Sequence, residues 1–97
     1  MIRHIVLYSF EKIPQDVISS FMKKYRECEK LVNVKIEAGE NTSSKKELSG
    51  GFNFGMLMTF GGADDLVKYN TLQQHLDAKA IMAPYLKNTL VFDIAPG

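Results

Sequence analysis

The chain opens on a run rich in β-branched and aromatic residues, Ile2–Phe10 (IRHIVLYSF). Period two sorts it into Ile2, His4, Val6, Tyr8 and Phe10 on one face and Arg3, Ile5, Leu7 and Ser9 on the other. Both faces carry apolar residues, which marks a strand covered on both sides and central in its sheet. Pro14 then stands where a first-turn proline belongs, beside Gln15 and Asp16. Val17, Phe21, Tyr25 and Cys28 follow at helical spacing, flanked by Ile18, Met22, Leu31 and Val32. Lys23, Lys24, Arg26, Glu27, Glu29 and Lys30 take the other side. The pattern predicts an amphipathic helix covering one sheet face, its charged side solvated.

Residues 32–38 (VNVKIEA) alternate between dry Val32, Val34, Ile36, Ala38 and wet Asn33, Lys35, Glu37, the pattern of an edge strand, ended by Gly39. Residues 40–51 (ENTSSKKELSGG) are polar and small and read as a mobile loop. Residues 52–60 (FNFGMLMTF) form a second doubly apolar strand: Phe52, Phe54, Met56, Met58 and Phe60 against Asn53, Gly55, Leu57 and Thr59. Gly61-Gly62 break it, and Asp64 and Asp65 favour a helix start near the positive dipole end. A helical pattern covers 63–70 and roughly 72–83, with a break near Asn70-Thr71 and an end at Pro84. Residues 88–95 (NTLVFDIA) make the last strand, stopped by Pro96-Gly97.

The order β-α-β-β-α-β predicts an α+β, ferredoxin-like sandwich: one four-stranded antiparallel sheet with its helices on one face. The uncovered face would present Ile5, Leu7 and Leu57, plus either Leu90 and Phe92 or Val91. Such a patch is rarely left in water, so the expected partner is a second copy, a homodimer through the open sheet face.

Composition narrows the function classes. The 97 residues suffice for a single domain over 1–97. Twelve basic against 11 acidic residues leave +1, which argues against a nucleic-acid partner. A hydrophobic share of 45% excludes a disordered chain. The lone Cys28 excludes an internal disulfide and a multi-cysteine metal site, and fits a reducing compartment. The apolar start is interrupted by Arg3 and His4 and does not read as a signal peptide. No run approaches the roughly 18–20 apolar residues of a membrane span. The expectation is a cytoplasmic protein engaging neither membrane nor nucleic acid.

The chain has two histidines, His4 and His75. Neutral imidazole can take a proton from a carbon acid, and Tyr69 can hydrogen-bond the developing enolate oxygen. Tyr69 and His75 lie six residues apart, so an unbroken helix would place them on different faces and a break would bring them together. The alternative reading of each is a satisfied core group. Val6, Tyr8, Phe21, Met22, Tyr25, Ile36, Phe54 and Met56 read as a pliable ligand pocket or as plain core. No carboxylate pair stands at ligand spacing with the histidines, and no haem or flavin motif is present, so neither metal nor cofactor is expected. Gly39, Gly50 and Gly51 suggest turns and no phosphate cradle.

Four segments together carry a family resemblance: MIRHIVL at the start, GGFNFGMLMTF in the middle, Tyr69 with His75, and LVFDI at the end. Over nearly the whole chain they resemble the stress-responsive α/β-barrel (Dabb) family of dimeric α+β barrels. The resemblance implies a face-to-face homodimer and a pocket between sheet and helices in each subunit. More distantly the chain is similar to olivetolic acid cyclase, an aldol-type polyketide cyclase with a Tyr-x-x-His-Pro-x-His segment. Tyr69 and the second histidine, His75, match that segment, whereas Leu72 replaces its first histidine and Gln73 its proline. His4 matches a first-strand histidine and Tyr25 a pocket tyrosine, while Phe54 stands where the cyclase has another histidine. The resemblance makes His75, Tyr69 and His4 the catalytic candidates. Three functions follow as hypotheses. The first is a domain binding a small apolar or aromatic metabolite. The second is a cyclase-, lyase- or isomerase-like enzyme with His75 as general base and Tyr69 as oxyanion partner. The third is a non-enzymatic, stress-related interaction or structural module.

Overall fold

The computed structural model describes residues 1–96, so Gly97, expected to help stop the last strand, lies outside the described residues. Strand β1 (Ile2–Phe10) leads into helix α1 (Gln15–Leu31). Strands β2 (Val34–Glu40) and β3 (Phe54–Phe60) follow, then α2 (Ala63–Thr71), α3 (Gln73–Met82) and β4 (Leu86–Ile94). Short 3-10 turns occupy Lys46–Leu48 and Ala83–Tyr85. The sheet order is β2-β3-β1-β4, with every neighbouring pair antiparallel. This is the ferredoxin-like arrangement. The two doubly apolar strands, β1 and β3, are the interior ones, as their patterns require.

Helix α1 starts behind Pro14, carries Asp16 in its first turn and Lys30 in its last, and buries Ile18, Phe21, Tyr25 and Cys28. Phe21 meets Phe54 of β3 edge-on at 5.6 Å between ring centroids. Phe21, Tyr25, Cys28, Met58 and Phe60 have no exposed surface. Burial pushes the Cys28 thiol up to about 11, so this cysteine packs as a small apolar group. Helix α3 packs against α1, and Ala78 is fully buried.

Several boundaries shift for local reasons. Strand β2 begins at Val34, because Val32 serves as the extended C-cap of α1, its N–H donating to the Cys28 carbonyl. Gly39 does not end the strand; it pairs with Gly55, and Glu40 with Phe54. Ala38 is exposed although alternation puts it on the dry side, since alternation sets which way a residue faces, not whether anything covers it. Strand β3 begins at Phe54, two residues late. The side chain of Asn53 meanwhile bonds the N–H and carbonyl of Phe10 at 2.9 and 2.8 Å. The segment expected to be a mobile loop is organised around Asn41, which bonds the carbonyls of Asn53 and Phe52 and accepts from Ser43 and Lys46. Gly50 and Gly51, at φ 61° and 83°, supply the left-handed turn that returns it to β3.

The charged side of α1 is not all solvated. Arg26 donates to the Ile36 carbonyl at 2.8 Å, and the Ile36 N–H donates to Glu29 at 3.0 Å. These bonds occupy outward-facing backbone groups of β2, the exposed edge of the sheet. Burial raises the Glu29 pKa, but the bonds from Arg26 and Ile36 outweigh it and leave the carboxyl below its ordinary value.

At the other edge, β4 resolves the parity left open by the sequence. Leu90 and Phe92 pair across from Leu7 and Ile5 and belong to the uncovered face, whereas Val91 pairs with Val6 on the helix side.

Candidate functional site

Between β1, β4 and the junction of α2 with α3 lies a cavity of about 550 Å³. Strand β1 contributes His4, Val6 and Tyr8 to its wall. Tyr69 and Asn70 come from the end of α2, and His75, Lys79 and Met82 from α3. Leu86, Thr89 and Val91 of β4 form the far side.

The helix junction assembles the polar part. Helix α2 stops at Thr71, and Leu72 is extended (φ −65°, ψ 135°), its N–H donating to the Tyr69 carbonyl. The break thus falls one residue beyond the expected Asn70-Thr71. Leu72 is partly buried and packed against the core, which anchors the junction. One extended residue resets the helical phase, and the Tyr69 and His75 rings stack with centroids 4.2 Å apart at 24°.

His75 is unusual in its hydrogen bonding. Its Nδ1 is enclosed by protein beside the Asn70 and Tyr69 backbone, without a well-formed hydrogen bond. Burial, and then the Lys79 ammonium, hold its pKa below the ordinary histidine value against an opposing pull from the Asn70 backbone. The ring is therefore neutral at pH 7, the form a general base needs. Beside it, burial raises the phenol pKa values of Tyr69, Tyr25 and Tyr8. The Tyr8 and Tyr25 hydroxyls lie 3.4 Å apart. These phenols stay protonated and act as hydrogen-bond donors.

His4 stands opposite Asp93 in the β1–β4 register, and its Nδ1 lies 2.5 Å from the carboxylate. A carboxylate on Nδ1 orients the ring and favours the tautomer with Nδ1 protonated. Tyr69 neighbours both imidazoles, since its centroid lies 6.4 Å from that of His4.

The three catalytic candidates, His4, Tyr69 and His75, thus share one cavity wall with Val6 and Tyr8. The other expected pocket residues lie elsewhere. Phe21, Tyr25, Ile36, Phe54 and Met56 are buried in the packed core, where α1 closes over β2 and β3. Tyr25 approaches the site through its hydroxyl and by lying 6.4 Å from the His75 ring. Met22 borders a shallower cleft with Phe54 and Gly39. Hydrophobicity and spacing alone did not distinguish these filled positions from the open ones.

Conversely, sequence reasoning missed Asp93, Lys79, Thr89 and Val91. Two signals were present. Lys79 follows His75 by four residues, the spacing of one helix face. Thr89, Val91 and Asp93 share one strand parity, which became informative once the register was known. Among the described residues no cluster of three or more His, Cys, Asp or Glu could hold a metal ion. No helix is long and apolar enough to cross a membrane.

A family model, the stress responsive A/B barrel domain, matches residues 2–96, and the chain belongs to that family. Among solved structures, a protein from Arabidopsis thaliana is 23% identical with a TM-score of 0.83, over 100% of this chain and 96% of that one. A dimeric ferredoxin-like protein of unknown function from Thermobifida fusca is 20% identical with a TM-score of 0.78, over 98% and 90%. A hydroxynitrile lyase from Passiflora edulis is 18% identical with a TM-score of 0.78, over 96% and 90%. At these identities the likeness is one of fold. No curated protein matches the chain.

Proposed function

We propose that this member of the stress responsive A/B barrel family is a homodimer that binds a small, largely apolar or aromatic molecule in the cavity beneath β4. The cavity carries the reading. Its volume of about 550 Å³ lies within the roughly 300–1,000 Å³ of small-molecule sites, although the chain has only 97 residues. Its walls are apolar at Val6, Met82 and Val91, and its polar groups converge as His4, Tyr69 and His75. The dimer is supported by the uncovered sheet face, where Phe92 is 58% and Leu90 43% exposed in the single chain. The Thermobifida fusca neighbour, described as dimeric, has the same fold.

The test is titration with a neutral probe, methyl 4-phenylbutyrate, followed by amide chemical shifts. Saturable shifts are expected at Val6, His75 and Met82. Absence of saturable shifts there with this ester, with its parent acid and with a wider set of aromatic and aliphatic compounds would refute the binding reading.

A second reading, an enzyme of cyclase, lyase or isomerase type, is favoured by the neutral His75 stacked on Tyr69. The imidazole takes a proton from carbon beside a carbonyl, and the C–H electron pair moves onto the carbonyl oxygen as an enolate. The Tyr69 phenol donates a hydrogen bond to that oxygen. The Passiflora edulis neighbour, a lyase by its description, shares the fold. Turnover of a panel of β-keto thioesters tests it: His75→Ala should lose about 100-fold or more, and unchanged turnover removes the proposed base.

A further inference from the structure

The charge of the cavity is one-sided. Lys79 sits on its rim one helical turn beyond His75, exposed, and close enough to depress the imidazole pKa. Among the described residues it makes no ion pair, whereas Lys24 on α1 engages both Glu27 and Asp77. Among the described residues no Asp or Glu lines the cavity. The Asp93 carboxylate is engaged by His4. The other polar residues of the wall are His4, Tyr8, Tyr69, Asn70, His75 and Thr89. Among the described residues the wall therefore offers one ammonium, several hydrogen-bond donors and an apolar surface, with no carboxylate side chain.

We propose that the ligand is a small apolar or aromatic carboxylic acid, its hydrocarbon body against Val6, Met82 and Val91 and its carboxylate paired with Lys79 at the cavity rim. The inference rests on the binding reading above and names the ligand class for that same site. A monoanionic carboxylate fits better than a phosphate. No arginine lines the cavity, so the planar fork that suits a phosphate is absent, and a single ammonium matches a single negative charge. Among the described residues Lys79 is the one lysine or arginine in the cavity wall.

The experiment is calorimetric titration of the full chain with three probes that share a phenylpropyl body: 4-phenylbutyrate, its methyl ester, and 3-phenylpropyl phosphate. The acid is expected to bind about two- to fivefold tighter than the ester at low salt, the size of one exposed ion pair. That preference should shrink as salt rises. Lys79→Met should abolish it, so that acid and ester bind alike, and Lys79→Arg should restore it. Equal binding of acid and ester by the wild type, a preference that survives Lys79→Met, or a phosphate that binds tightest would each overturn the acid assignment while leaving the cavity a binding site. Failure of both acid and ester to bind would overturn the binding reading with it.

Discussion

The layer between sheet and helices has two halves built from the same kinds of residue and packed to opposite ends. Over β2 and β3 it is filled: Phe21, Phe54, Met56, Met58 and Phe60 are buried to 5% exposure or less, and the Phe21 and Phe54 rings meet edge-on. Over β1 and β4 it opens into a cavity of about 550 Å³. The helix-side residues of β4, Thr89 and Val91, remain exposed, because the helix layer does not extend over that strand. The polar groups follow this division. His4, Tyr69 and His75 gather at the open half, and the filled half holds no buried polar or charged residue apart from phenol hydroxyls. A sandwich with one strand more than its helices can cover leaves its space at the uncovered edge, and that is where chemistry can be placed without opening the core.

The sharpest way to break the comparison is to truncate one side chain of each half to alanine. Phe21→Ala leaves a void in a region without slack and should cost about 3–5 kcal/mol, enough to unfold much of the population. Val91→Ala removes a side chain that is 55% exposed in the single chain and should cost less than about 1 kcal/mol. Urea unfolding of the two variants side by side checks this. Similar losses would mean the two halves are packed alike.

The opposite face of the sheet divides differently. Phe92→Glu places a charge on the uncovered face. In a dimer it would be buried without a counter-charge, at a cost of roughly 3–5 kcal/mol. Because Phe92 is largely exposed in one chain, the variant should fold and run at half the wild-type mass in light scattering. A wild-type monomer at micromolar concentration, or a variant that remains dimeric, would contradict the interface.

How much of this was legible depended on the range of the interaction. Ile2–Phe10 showed its central place because alternation is local and both of its faces are apolar. The pairing of Tyr69 with His75 was legible as a condition, since six residues cannot share a helix face without a break, but Leu72 as the break point was not. Propensity favoured a stop at Asn70-Thr71, whereas burial of Leu72 decided it. Phe54 and Met56 could not be told from cavity walls, because filled and open positions on one strand face carry the same hydrophobic signal. Asp93 was invisible as a partner of His4, 89 residues away, until the β1–β4 register was known.

A titration sharpens the comparison from the open side. The folded-state pKa of His75 lies below the unfolded value near 6.5, with burial the main cause. Above pH 6.5 both states are neutral at this residue and stability is unaffected. As pH falls through 6.5, the unfolded chain takes up the proton first, so stability declines until the folded pKa is passed and then levels. Urea midpoints between pH 7.5 and 5 should show this decline, and His75→Gln, which cannot titrate, should reduce it. An unchanged slope in the variant would place the proton uptake elsewhere.

The smallest expected effect lies at the far edge of the filled half. Glu29 accepts from the Ile36 N–H and pairs with Arg26, which holds the Ile36 carbonyl. Glu29→Ala should cost about 0.5–1.5 kcal/mol, one hydrogen bond's worth, and speed exchange of the Ile36 amide more than that of interior β3 amides. The sign with pH is opposite to that of His75: the Glu29 pKa is lowered by folding, so its contribution is present above the unfolded carboxyl value and fades as pH falls through the folded one. If the Ile36 amide exchanges no faster in the variant, the α1 side chains are not what closes this edge. The sheet would then be guarded there by its short length and by Lys35 and Glu37 alone.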